Sequence, residues 1–166
     1  MDLDRRQFIG TGVMAVSAAA LLGWNGLAGA AGPVGKFEVT LPDAEWRKRL
    51  SPASYEVLRH EDTEAPFTSP LLKEHRPGTF TCAGCKLPNF SSKTKFESGT
   101  GWPSFYQPLP NAVANRKDTT LGMIRIEVHC RRCGGHLGHV FNDGPKPTGL
   151  RYCMNGLALG FTPAKA

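Results

Sequence analysis

Cys82-Ala83-Gly84-Cys85 and Cys130-Arg131-Arg132-Cys133 are the stretches whose reading decides how this chain folds. Each Cys-x-x-Cys sets two thiols on one tight turn, close enough to share a metal ion. Structural zinc sites take four such ligands in a tetrahedron. Gly84 and Gly134 are the residues expected to give the turns their conformational freedom. The pairs are separated by 44 residues, so a shared site would clamp two distant hairpins. Two disulfides, or a redox motif of the thioredoxin kind, are the alternatives. A redox Cys-x-x-Cys opens a helix after a strand, and neither pair precedes a helical pattern. The matched pairs and their glycines favour one structural zinc ion on Cys82, Cys85, Cys130 and Cys133. Four thiolates leave such an ion no open position for water or substrate.

Outward from the knuckles, the pattern is strand and turn. Gly78–Cys82 is a short strand entering the first knuckle, and Pro88–Ser91 another leaving it. In Met123–Cys130, Ile124, Ile126 and Val128 alternate with Arg125, Glu127 and His129, the period of a half-buried strand. Gly138–Phe141 and Leu150–Asn155 are expected strands on either side of the turn cluster Asn142-Asp143-Gly144-Pro145, and Leu157–Thr162 closes the domain. The proline- and aromatic-rich Gly101–Pro110 reads as an irregular loop, as does the polar Glu61–Ser69. Two short helices precede the strands. Asp43–Leu50 carries Trp46 and Leu50 at i, i+4, and a second helix starts at Ser51-Pro52 and ends near His60. The fold class is therefore mainly β with short N-terminal helices, as 19 glycines and 13 prolines in 166 residues also favour.

The N-terminus reads as a targeting segment. Arg5-Arg6-Gln7-Phe8-Ile9 is a twin-arginine pattern, a weakly apolar stretch runs from Gly12 to Trp24, and Ala28-Gly29-Ala30 is an A-x-A-type cleavage site. The apolar run is short of the ~20 residues a bilayer span needs, so no stable membrane span is expected. Residues 1–30 are thus expected to be a signal peptide, 31–42 a linker and 43–166 the domain, with a periplasmic destination. Export after folding would let the thiolates bind zinc in a reducing cytoplasm before meeting an oxidising compartment. The net charge is +6 with or without the first 30 residues, because Asp2 and Asp4 balance Arg5 and Arg6. Lys and Arg are scattered among acids, which argues against a nucleic-acid-binding stripe.

One cysteine is left over. Cys153 stands in Arg151-Tyr152-Cys153-Met154-Asn155, downstream of His136 and His139. In a strand, Arg151, Cys153 and Asn155 share a face. A neighbouring Arg charge favours a thiolate, and the histidines can move protons. A buried cysteine acting as a small hydrophobe explains the same residues equally well.

The stretch Gly134-Gly135-His136-Leu137-Gly138-His139-Val140-Phe141-Asn142-Asp143-Gly144-Pro145, continued to Cys153, closely resembles the signature of type B methionine sulfoxide reductases. So does Ser98-Gly99-Thr100-Gly101-Trp102-Pro103-Ser104-Phe105, and both knuckles fit. The resemblance covers roughly Ala44 to Phe161. It implies two antiparallel sheets clamped by zinc, and reduction of methionine-R-sulfoxide, free or in proteins. Cys153 matches the nucleophile, which becomes a sulfenic acid as methionine leaves. His136, His139 and Asn155 match polar catalytic positions, Trp102 the aromatic wall for the S-methyl group, and Phe141 and Arg151 supporting positions in substrate binding. There are two departures: many relatives carry a resolving cysteine where this chain has Thr100, and usually Ser where it has Gly156. The first implies recycling by an external thiol or a thioredoxin-like protein. The second implies a small change in loop packing. A non-catalytic zinc module is the competing reading, and it has no need of Cys153 or Trp102.

Overall fold

The computed structural model describes residues 36–165. The expected signal segment lies outside the described residues. Residues 37–39, expected in the linker, lie against the domain. The Val39 N–H donates to Arg132 O at 3.0 Å, Glu38 pairs with Arg131 at 2.7 Å, and Phe37 meets His129 edge-on.

Local chemistry sets the helices. Helix α1 is Asp43–Arg49, and its buried residue is Trp46. Helix α2 is Pro52–His60, with Ser51 Oγ accepting from the Ser54 N–H at 3.1 Å and Glu61 ending it in the left-handed region at φ 62°. Its buried residues are Tyr55, Val57 and Leu58. Leu58 seats against Gly135, where any added Cβ would come within 2.8 Å of it, so α2 lies directly over the second knuckle. Among the described residues no helix is long and apolar enough to cross a membrane.

Nine strands follow: β1 Gly78–Cys82, β2 Pro88–Ser91, β3 Lys95–Phe96, β4 Ser104–Phe105, β5 Val113–Asp118, β6 Arg125–Cys130, β7 His136–Phe141, β8 Arg151–Met154 and β9 Leu159–Pro163. They form two antiparallel sheets, a small one ordered β2-β1-β9 and a large one ordered β3-β4-β8-β7-β6-β5. Three strands depart from the sequence reading, among them the two-residue β3, which pairs with β4. The supposed irregular loop Gly101–Pro110 contains β4, which pairs with β8 at Ser104↔Cys153 and Phe105↔Tyr152. The charged β5 has no alternation to reveal it and becomes a strand because β6 offers it an unpaired edge.

The sheets meet through aromatic rings. Phe105 of β4 stacks on Phe90 at 4.4 Å and meets Phe80 edge-on at 4.9 Å, and all three are fully buried. Rings in such contact add to their area burial, and losing one to Ala costs ~3–5 kcal/mol. These rings reach β4 and β8, and Val128 of β6 and Leu137 of β7 carry the same core further along the large sheet. Ile126 is 39 % and Ile124 72 % exposed, so the apolar face of β6 is the wet one at its N-terminal end. Its polar alternates turn inward, and Glu127 is 2 % exposed. The alternation is as expected for a strand; the buried side at that end is the reverse.

Candidate active site and metal centre

The four knuckle cysteines converge, with all four sulfurs within 4.8 Å of one another. Cys82 Sγ lies 3.7 Å from Cys133 Sγ, and Cys85 Sγ lies 3.5 Å from Cys130 Sγ. A tetrahedron with zinc–sulfur bonds of ~2.3 Å has edges of about 3.8 Å, whereas a disulfide requires ~2.05 Å. The geometry fits a metal tetrahedron and excludes the disulfide reading for this state. The two knuckles share one backbone pattern. The Cys82 N–H donates to Leu87 O at 2.8 Å and Lys86 N–H to Cys82 O at 2.9 Å; the Cys130 N–H donates to Gly135 O at 2.9 Å and Gly134 N–H to Cys130 O at 2.8 Å. The residue after the second cysteine takes the left-handed conformation in both, Lys86 at φ 61° and Gly134 at φ 67°. Gly134 therefore has its expected role; Gly84 does not, and Lys86 holds the equivalent place. One knuckle ends β1 of the small sheet and the other ends β6 of the large one, so a bound ion would tie sheet to sheet.

The polar face of the large sheet carries one cross-strand row. Arg116 lies opposite Glu127, Glu127 opposite His139, His139 opposite Cys153, and Cys153 opposite Ser104. Directly opposed residues share a face, so five strands align one set of functional groups. A bulge on β7 adds a member: Val128 pairs with Gly138 and His129 with His136, leaving Leu137 as the extra residue. The bulge brings His136 and His139 together, three positions apart, with ring centroids at 5.3 Å.

Cys153 opens onto a cavity of about 130 Å³ lined with Trp102, His139, Phe141 and Asn155, together with Thr63, Arg125 and Gly138. Burial pushes its thiol above the ordinary value, and the Thr100 hydroxyl, the Arg151 charge and Ser104 offset this only in part. The expected depression by Arg151 is present but loses to desolvation, because the guanidinium is spent on Asp143 at 2.9 and 2.8 Å and lies over the Phe141 ring. Thr100 Oγ1 is 3.8 Å from Cys153 Sγ.

The two histidines differ. His139 lines the cavity, and its Nε2 bonds Asp118 Oδ2 at 2.8 Å. Burial pushes this imidazole down against the pull of Asp118, so its neutral form is favoured. Burial also opposes the Asp118 charge, but hydrogen bonds from Thr120 and His139 and the Arg125 guanidinium hold its carboxyl well below the usual range. His136 stands behind the cavity, 2 % exposed, with Nδ1 on Glu127 Oε1 at 2.9 Å. Burial disfavours the Glu127 charge as well, yet the adjoining His129 and the hydrogen-bonded His136, with Arg116 close by, hold it at about 2. Arg116 also reaches Glu61 beside α2.

Glu64 fastens the far wall. Its backbone O accepts from Trp102 Nε1 at 3.0 Å, and its N–H donates to Asn155 Oδ1 at 3.1 Å. Its buried carboxylate accepts from the N–H groups of Gly156 and Leu157. Asn155 Nδ2 donates to Leu137 O at 3.4 Å, so this amide is engaged at both ends. A Cβ on Gly156 would lie 1.8 Å from Ser69 Oγ. The expectation of a small packing change is therefore incomplete: here Ser69 fills the space that a side chain at 156 would need.

Residues 50–163 match the model of the SelR domain. The chain belongs to the SelR-domain family. It is 54 % identical over 126 residues to the peptide methionine sulfoxide reductase MsrB of Leptospira interrogans, covering 75 % of this chain and 96 % of that one. It is 56 % identical over 122 residues to the protein of the same name from Thiobacillus denitrificans, covering 73 % and 92 %. Against that of Pseudomonas putida it is 55 % identical over 129 residues, covering 77 % and 96 %. Within this SelR domain the structure brings Cys153, His139, Asn155, Trp102 and Phe141 around one cavity and sets His136 and Arg151 behind it. The sequence reading missed Asp118, Arg125, Glu127 and Glu64, which orient those groups. One usable signal was present: the polar set Arg125, Glu127, His129 in strand phase, facing the expected histidines.

Proposed function

We propose that this SelR-domain protein is a peptide-methionine (R)-S-oxide reductase, an oxidoreductase that reduces methionine-R-sulfoxide at Cys153. The observation that carries the reading is the lone thiol in a cavity with an aromatic wall at Trp102 and a carboxylate-held imidazole on the neighbouring strand. A sulfoxide presents one apolar methyl and one basic oxygen, and this cavity offers an apolar surface for the first and a proton-moving group for the second.

The protonation states suit a net-neutral reaction. With Nε2 bonded to Asp118, His139 Nδ1 is the ring nitrogen left to take the Cys153 proton and pass it to the sulfoxide oxygen. Cys153 sulfur attacks the sulfoxide sulfur; the protonated oxygen passes to Cys153 as the S–O bond and the transient S–S bond break, so methionine leaves and Cys153 becomes a sulfenic acid. The Cys153 sulfur is oxidised by two electrons as the substrate sulfur is reduced by two. Two external thiols, or a thioredoxin-like dithiol, then return Cys153 to the thiol with loss of water, since Thr100 offers no second sulfur. His136, Glu127 and Asn155 position these groups, and Arg151 with Phe141 supports the cavity edge. One zinc ion on Cys82, Cys85, Cys130 and Cys133 would supply folding stability and take no part in the chemistry. The twin-arginine pattern supports export to the periplasm and repair of exported proteins there.

The test is a steady-state assay with resolved sulfoxide epimers and several thiol donors, with dimedone trapping after one turnover. Reduction of the R epimer with a dimedone adduct at Cys153 supports the reading. An inert protein whose Cys153 resists thiol reagents supports the non-catalytic zinc module instead.

A further inference from the structure

Trp102 walls more than one cavity. It also lines a second, larger hollow of about 310 Å³, together with Phe67, Leu72, Lys73, Phe96 and the 98–104 loop. A third of about 130 Å³ continues from it past His75, Lys95 and Glu97. Shared lining residues place these hollows in a row beside the Cys153 cavity: Trp102 lines the first two, and Phe96 is among those lining the last two.

The rim residue Phe67 is unusual in two independent ways. It is 70 % exposed, and it sits at φ 65°, a region that bulky side chains rarely adopt. Its N–H donates to Gly101 O at 2.8 Å, which ties it to the loop carrying Trp102. A large apolar ring held in solvent in an unfavourable conformation is a common mark of a binding surface. The charges are sorted too. Lys95 is paired with Glu97 at 3.0 Å and Glu74 with Arg76, while no ion pair engages the exposed Lys73 among the described residues.

We propose that this row of hollows binds the polypeptide flanking the oxidised methionine, taking an apolar side chain against Phe67 and Phe96 and a carboxylate near Lys73. The proposal rests on the sulfoxide-reductase reading and names its substrate class: methionine sulfoxide in an exposed segment with apolar and acidic neighbours. The shared Trp102 argues for this occupant, because a peptide whose sulfoxide sits against that ring at Cys153 has the neighbouring hollow beside its flanking residues.

The test compares kcat/KM for N-acetyl-methionine-R-sulfoxide amide with that for short peptides carrying Phe, Glu, Ser or Lys beside the sulfoxide. Wild type should prefer the Phe peptides over the Ser peptides about tenfold, the range a filled apolar pocket supplies. Phe67→Ala should remove that preference while the blocked amino acid reports that the site is intact. Lys73→Glu, on an exposed side chain, should turn a Glu-over-Lys preference of about threefold into its reverse. Equal losses on the blocked amino acid and the peptides, or no dependence on neighbours in wild type, would overturn this proposal alone. Wild type inert on every sulfoxide would overturn the functional reading and this proposal with it.

Discussion

Cys130 and Cys153 both stand at or near the ends of strands in the large sheet, one strand apart from each other, yet they are prepared for opposite work. Cys130 ends β6 at a tight knuckle, where three other sulfurs complete a closed tetrahedron. Cys153 lies within β8, between Ser104 and His139, and opens onto a cavity. Their surroundings separate them. A sulfur sharing a metal ion with three others would be satisfied and inert; sulfur facing a hollow with an aromatic wall and an imidazole is available. Residue type and strand membership do not distinguish the two; their partners from distant parts of the chain do.

The sharpest way to break this contrast is to open the quartet. Cys130→Ser should lose the metal and cost more than about 5 kcal/mol of stability, given that structural zinc supplies ~10–16 kcal/mol of binding free energy. Metal analysis and thermal unfolding check this. Full stability without metal would show that the quartet is not what joins the sheets. Cys153→Ser should do the reverse, lowering turnover at least about a thousandfold, ~4 kcal/mol of barrier, with metal content and melting temperature unchanged. Residual turnover near wild type would move the nucleophile elsewhere.

Smaller changes sharpen the cavity side. Gly156→Ser, which installs the residue that the family resemblance implies at this position, should destabilise by about 1–3 kcal/mol because it drives a Cβ into Ser69. Pairing it with Ser69→Gly should recover most of the loss in a thermal melt; no recovery would mean that Ser69 is not the obstacle. Burial raises the Cys153 thiol, so its thiolate fraction should grow about tenfold per pH unit through neutrality. Iodoacetamide modification of Cys153 should therefore still be accelerating at pH 8, and a plateau below pH 7 would show a thiolate stabilised beyond what burial permits. Thr100→Cys puts a sulfur where a hydroxyl lies 3.8 Å from Cys153 Sγ. After oxidation, mass spectrometry should find a 100–153 disulfide, and recycling by a thioredoxin-type donor should quicken a few-fold, about 0.5–1 kcal/mol of barrier. If the added thiol stays free, the loop does not hold that approach in solution.

The chain order of β1, β2, β6, β7, β8 and β9 was legible because turn residues and alternation are local signals. So were both helices, through Ser51-Pro52 and the Trp46–Leu50 spacing. Strand β5 was not, since Val113–Asp118 carries charges on both phases and is a strand only by pairing with β6. The two-residue β4 was hidden among prolines for the same reason: its pairing partner lies about fifty positions away in sequence.

By itself the sequence grouped the cysteine quartet and singled out Cys153, because two Cys-x-x-Cys pairs can supply the four ligands of one tetrahedral site and leave one thiol over. Its longest motifs pointed to His136, His139 and Trp102. Only the tertiary structure decided which side of β6 is buried, which histidine faces the cavity, and that the thiol is raised and not lowered. Those properties depend on desolvation and on groups such as Asp118, Glu127 and Glu64, contributed by segments with no pattern of their own. Spacing encodes which residues can share a turn or a face. Burial and charge balance arise only when separate segments close over one another.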